Sequence, residues 1–217
     1  MPQKLVDGAI IIDPRFPDDD IEKYAMQGRR IVLLRAGASK GLVSHVLVDN
    51  KKGSYSAIDR LSIFKKQTII LVTGPSDSFD SQQRLQFSLE RLAHHNILNY
   101  RIFKSDFTID GGKSVAQEIL KNGFKQASIF SFNDEMAIGI YDIFKQNHVD
   151  LSEFNIVGFD NDEISSYLVP SLSSINYSKH HWGQVAAESL LEMINGGKVS
   201  DKIINTEFLE RASTSKE

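Results

Sequence analysis

The chain has 217 residues, 41% hydrophobic and 24% charged, a globular composition far from that of disordered chains. At about 150 residues per domain that length suits one or two compact units. Twenty-five basic against 28 acidic residues give a net charge of −3, and the basic ones fall in scattered pairs such as Arg29-Arg30 and Lys51-Lys52, which argues against DNA or anionic lipid as a direct partner. The absence of cysteine excludes disulfides, thiolate catalysis and zinc–thiolate sites. No apolar run approaches the roughly 18 residues of a spanning helix, and Asp7 comes too early for a signal peptide. A cytoplasmic protein with no membrane partner is expected.

Short β-branched runs alternate with segments whose apolar residues recur at three and four, the pattern of βα units around a parallel sheet. A strand at 8–12 precedes an acidic helix start at Asp18-Asp19-Asp20, with Gly28 placed to end that helix. Strands follow at 30–35 and 46–48, a helix at about 52–64, and a buried strand at 68–72 closed by Gly74-Pro75. Leu85, Leu89, Leu92 and Ala93 share one face of the next helix. Strands at 100–103, 127–132 and 154–159 are separated by helices near 112–122 and 134–147. A Ser-rich extended segment at 172–177 leads to a helix carrying Trp182, Val185, Leu190 and Met193, ended by Gly196-Gly197, and a last strand is expected at 203–209. The seams that could pass between lobes are the Gly/Ser loop at 37–44 and the Ser-rich stretch at 165–174.

Several chemistries are poorly supported. Asp110-Gly111-Gly112-Lys113-Ser114 imitates the end of a phosphate loop, but position 107 is Phe where the motif needs Gly, so a helix start is the simpler reading. Gly74-Pro75-Ser76-Asp77-Ser78 lacks the second glycine of a nucleophile elbow. The six histidines show no metalloprotease spacing and read as surface residues. No glycine-rich dinucleotide fingerprint follows any strand. No metal and no cofactor is expected.

Small ligands of open parallel sheets bind beyond the carboxyl ends of the strands, which gives weight to Arg35, Asn133, Asp134 and Asp160, with Arg84 from the helix after 68–72 and Phe107 from the loop after 100–103. Together they offer guanidinium donors, an amide, carboxylate acceptors and an apolar ring, an inventory suited to a polyol or a heterocycle. The same residues fit a plainer arrangement. Asn133 and Asp134 could cap a helix, Asp160-Asn161-Asp162 could form a turn, and Arg84 could be solvated. Position alone leaves function open.

Four co-linear segments carry a resemblance: Ser131-Phe132-Asn133-Asp134-Glu135-Met136-Ala137-Ile138-Gly139, Ile156-Val157-Gly158-Phe159-Asp160-Asn161, Pro170-Ser171-Leu172-Ser173-Ser174-Ile175 and Glu210-Arg211-Ala212-Ser213-Thr214. With Val6-Asp7-Gly8-Ala9-Ile10-Ile11 and Val48-Asp49-Asn50, the chain resembles, over its whole length, the effector-binding domain of the LacI/GalR family of bacterial transcription regulators. The resemblance implies a periplasmic-binding-protein-like α/β fold of two parallel-sheet lobes joined by three crossings, with a sugar or sugar phosphate held between them. It puts Arg84, Asn133 and Asp160 where family members contact the effector, Phe107 where an aromatic lines it, and Arg35 at a strand end facing the cleft.

The departures shape further expectations. The helix-turn-helix headpiece and two βα units that precede the Val-Asp-Gly-Ala-Ile strand in the family have no counterpart, so the chain looks like a fragment with an incomplete first lobe. Phe64-Lys65-Lys66-Gln67 stands in place of the common Gly-His pair. A partial lobe is expected from 1–47 plus 171–195, and a fuller one from 48–170 plus 196–217. A homodimer is expected, its contacts concentrated in 1–47 and 171–195, where Trp182, Val185 and Met193 would lack first-lobe cover. The implied role is a sensor coupled to operator DNA only through the absent headpiece. Competing roles are a solute-binding protein of sugar uptake and an enzyme using Asp134 and Asp160 as acid and base.

With a charge of −3 and no basic face, the chain alone should retard DNA weakly, in a salt-sensitive way and without regard to sequence. Footprinting checks this, and protection of one defined sequence at physiological salt would contradict it.

Overall fold

The structure, a computed structural model, describes residues 6–13, 15–38, 41–64 and 68–215. The 65–67 segment that replaces the Gly-His pair, and part of the 37–44 loop, lie outside the described residues. The chain divides into two compact units: residues 1–49 with 177–205, and residues 50–176 with 206–217. No described helix is long and apolar enough to cross a membrane.

The first unit is built on strands β1 (Gly8–Ile11), β2 (Arg30–Leu33), β3 (Ser44–Val48) and β9 (Lys202–Ile204), all parallel, in the order β1-β2-β3-β9. Helix α1 (Asp18–Met26) buries Ile21 against Ile31, Leu33 and Val43. Helix α6 (Lys179–Ile194) lies along all four strands and buries Ala186 and Met193. Trp182 donates its indole N–H to the Val46 carbonyl at 2.8 Å and meets the Tyr177 ring edge-on. Met193 and Trp182 therefore find cover within their own unit, which removes the exposure expected of them. His45, expected at the surface, is buried in β3 with Nδ1 2.9 Å from Asp201 and Nε2 2.6 Å from the Gly37 carbonyl. A carboxylate and a carbonyl supply the partners that burial demands.

The second unit carries a six-stranded sheet in the order β10-β8-β7-β6-β4-β5: β4 (Ile69–Thr73), β5 (Tyr100–Lys104), β6 (Ala127–Ser131), β7 (Phe154–Phe159), β8 (Ser173–Asn176) and β10 (Glu207–Leu209). All pairings are parallel except that of β10 with β8. The five residues of β4 and of β6 are all buried, as a sheet covered on both faces requires. Helices α2 (Asn50–Ser62) and α3 (Phe79–His94) pack together, as do α4 (Ile109–Lys121) and α5 (Asp134–Gln146). Because β4 lies between β5 and β6, the order reverses there, and the β4–β6 junction is a topological switch point.

Two expectations about the late chain change. The 203–209 run is two strands: it breaks at Asn205-Thr206, Asn being depleted in strands, and β9 joins β3 while β10 joins β8. The 171–176 segment, expected with the first unit, contains β8, which pairs with β7. Ser173 and Ser174 are fully buried because their hydroxyls are bonded: Ser173 donates to the Arg211 carbonyl at 3.0 Å, and Ser174 to Asp134 at 2.8 Å. The crossings fall at 49/50, 176/177 and 205/206, whereas the sequence reading put them at 47/48, 170/171 and 195/196.

Candidate functional site

The carboxyl ends of β4, β6 and β7 bring together most of the residues singled out by position. Arg84, in the second turn of α3, is 5% exposed. Its Nε donates to Asn50 Oδ1 at 2.8 Å, its Nη1 donates to the Phe132 carbonyl across the switch point, and its guanidinium carbon lies 3.6 Å from the centre of the Phe159 ring. Nη2 faces the Asp160 carboxylate at 3.9 Å. The guanidinium is thus held on three sides, and Asp160 keeps a side chain 21% exposed.

The neighbouring turns are fixed from within. Asn133 caps α5, its Oδ1 accepting from the Met136 N–H at 3.0 Å, while its Nδ2 donates to the Phe107 carbonyl at 2.8 Å. Phe107 adopts a left-handed conformation with φ 68°, uncommon for an aromatic residue. Its half-buried ring lies over Gly74, where any Cβ would overlap it. Asp160 also has positive φ, 102°, and its N–H donates to the Ile175 carbonyl at 2.9 Å. Donors, acceptors and one aromatic ring so converge at the switch point, an arrangement able to hold hydroxyls on one side and an apolar ring face on the other.

Two nominated residues stand apart. Asp134 is fully buried and turned inward: Oδ2 accepts from the Asp162 N–H at 2.8 Å and from the Ser165 hydroxyl at 2.6 Å, and Oδ1 accepts from Ser174. Gly158 leaves room for that carboxylate, since a Cβ there would collide with Oδ1. Burial pushes its pKa up to about 6, against the hydrogen bonds from Ser165, Ser174 and the Asp162 amide. Arg35 belongs to the first unit, where it pairs with Asp18 at 2.7 Å and donates to the carbonyls of Phe16 and Ala36. Burial would raise Asp18, but the Ala38 N–H and the Arg35 guanidinium hold it below the usual carboxylate range.

Position after a strand missed other members. Asn50, at the start of α2, is 2% exposed and joins Arg84 to Asp80 at 2.7 Å and Gln83 at 3.3 Å. Phe159, the last residue of β7, supplies the ring beneath the guanidinium. Asn161 donates to Asn176 at 3.1 Å and accepts from Arg211 at 2.6 Å. Asn50 had a signal, a polar residue two positions after the apolar run 46–48. Phe159 had none, because an apolar strand end reads as core.

The periplasmic binding protein-like domain family matches residues 58–214. The HTH-type transcriptional regulator AscG of Escherichia coli K12 is 31% identical over 200 residues, which are 88% of this chain and 59% of AscG. A sugar-binding transcriptional regulator of the LacI family from Enterococcus faecalis superposes with a TM-score of 0.92 at 37% identity, covering 100% of this chain and 82% of that one. A LacI family transcriptional regulator from Enterococcus faecium, solved with bound ribose, superposes with a TM-score of 0.89 at 27% identity, covering 96% and 80%. The chain spans about three fifths of the length of the curated relatives it matches.

Because the folded-state pKa of Asp134 lies above the unfolded value near 3.9, the folded chain holds its proton more tightly, and stability falls as pH rises from about 4 to about 6. The drop from this group is about 3 kcal/mol. Other carboxylates titrate in the same range, so the readout is the difference between the parent chain and Asp134→Asn in chemical denaturation. That difference should shift against the parent between pH 4 and 7, and a flat one would contradict the assignment.

Proposed function

The chain belongs to the LacI family of transcriptional regulators through its periplasmic-binding-protein-like domain, and from that membership we propose that it senses a small hydroxyl-rich effector, a sugar or sugar phosphate, and reports it to a transcription apparatus. The observation that carries this reading is the Arg84–Asp160 pair at the carboxyl edge of the sheet, with Asn133 and Phe107 joined by a hydrogen bond in the neighbouring turns. A buried guanidinium beside a partly exposed carboxylate offers a donor and an acceptor to adjacent hydroxyls. By linkage, an effector changes operator affinity only through its unequal affinity for two states of the protein. Contact with operator DNA is assigned to a helix-turn-helix headpiece, not to this domain, and the setting is the cytoplasm.

Binding without turnover is part of the proposal. An acid/base mechanism would need Asp134 beside Asp160 at a substrate, yet both oxygens of Asp134 are taken by the protein's own donors. Regulators among the relatives favour sensing over uptake. Arg35, paired with Asp18, is retained as an effector contact of the first unit, whereas Asp134 is assigned to holding the 160–166 turn.

A charge-assisted hydrogen bond is worth about 1.5–3 kcal/mol, so Asp160→Ala should weaken binding of the sugar that most raises the melting temperature by about ten- to a hundredfold. Calorimetry checks this, and unchanged affinity would remove Asp160 from the site. A homodimer belongs to the same proposal, its contacts concentrated in 1–47 and 171–195, where Tyr24, Met26 and Leu191 are exposed apolar surface for pairing to cover. Light scattering at micromolar concentration should give twice the mass of the chain, and a monomer mass would overturn the pairing.

A further inference from the structure

We propose that the effector this surface selects is uncharged: a neutral aldose or similar polyol, and not its phosphate ester. The inference rests on the sensor reading above and narrows its ligand class.

The four turns that leave the carboxyl ends of β4, β5, β6 and β7, at 74–78, 105–108, 132–133 and 160–162, carry Asp77, Asp106, Asp160 and Asp162 against one lysine, Lys104, at the end of β5. The first turns of α3, α4 and α5 add Asp80, Asp110 and Glu135, while Asp134 there is buried and turned inward. An anion meeting this edge meets negative charge.

Helix amino termini could offset that, since free N–H groups there are ready sites for phosphate. At α3, α4 and α5 a side-chain cap already engages one of these groups. Ser78 accepts from the Ser81 N–H at 3.3 Å, Thr108 from Gly111 at 3.0 Å and Asn133 from Met136 at 3.0 Å. An acid in each of these three first turns further offsets the helix dipole, whereas α2 has none and carries Lys51 and Lys52 there. The Asp110-Gly111-Gly112-Lys113-Ser114 string is part of this arrangement: its lysine is drawn to Asp110 at 3.4 Å and Asp142 at 3.3 Å.

Arg84 has its charge largely spoken for by Asn50, the Phe132 carbonyl, the Phe159 ring and Asp160, and Arg211 is held by Asn161 and the Leu172 carbonyl. Hydroxyls both donate and accept, so a diol can accept from Nη2 and donate to Asp160. A phosphate dianion only accepts, and it would set its charge against that carboxylate.

The test is isothermal titration of the chain with D-ribose and D-glucose and with ribose 5-phosphate and glucose 6-phosphate, at low and high salt. The expected result is binding of a neutral sugar, with its ester at least about tenfold weaker and the neutral affinity nearly independent of salt. An ester that binds as tightly or more tightly, with an affinity falling as salt rises, overturns this inference and leaves the sensor reading standing. Binding of none of the four removes the sugar-sensing reading and this inference with it. In Asp160→Asn the ratio between sugar and ester should narrow by about tenfold. An unchanged ratio in a folded variant would show that this carboxylate does not discriminate.

Discussion

Burying the Arg84 guanidinium is the constraint around which the second unit is arranged. A charge moved from water into an interior is costly unless each donor finds a partner. Here the partners come from four places: the start of α2 through Asn50, the turn after β6 through the Phe132 carbonyl, the end of β7 through the Phe159 ring, and the following turn through Asp160. None of these places directly precedes or follows α3 in the chain. Satisfying one side chain therefore sets the register of the carboxyl edge and leaves one guanidinium face beside a partly exposed carboxylate.

Asp134 is the second buried charge, and it organises the other half of that edge. Its oxygens gather the Asp162 amide and the Ser165 and Ser174 hydroxyls, and Ser174 in turn accepts from the Asn161 N–H at 3.1 Å. Asp160 is held in its left-handed conformation between these bonds and the Ile175 carbonyl. The bonding continues to the ends of the unit: Asn161 donates to Asn176, the last residue before one crossing, and Asn176 donates to Glu207, just after another, at 2.7 Å. Asn50, bonded to Arg84, opens the unit after the first crossing. Residues at the crossings are thus direct hydrogen-bond neighbours of Arg84 and of the turn that carries Asp160.

The βα alternation was legible because each buried strand is a short β-branched run and each helix shows its apolar period. What escaped was polar. Ser173 and Ser174 look like a solvated linker, yet small hydroxyls satisfied by Arg211 and Asp134 can sit in a sheet interior. His45 looks like a surface residue until Asp201, distant in sequence, is brought beside it. The break at Asn205-Thr206 was hidden by the apolar residues around it, since two strands of different sheets separated by two residues have the composition of one.

The plain and the functional readings of the carboxyl edge were never exclusive. A strand that feeds a helix must cap that helix at the same edge where a ligand approaches, so polar residues there serve the fold first. The capacity left over once the fold is satisfied separates the two roles. Asn133 gives one lone pair to the Met136 amide and one hydrogen to Phe107, which leaves a second of each. Asp134 has three donors around its two oxygens and no exposure, so its capacity is spent inside. Asp160, one turn away, keeps a partly exposed side chain beside the remaining donors of Arg84. Of the two aspartates that follow strands in this unit, one folds the turn and the other is placed to meet a ligand, a distinction that lies in their partners and not in their residue type.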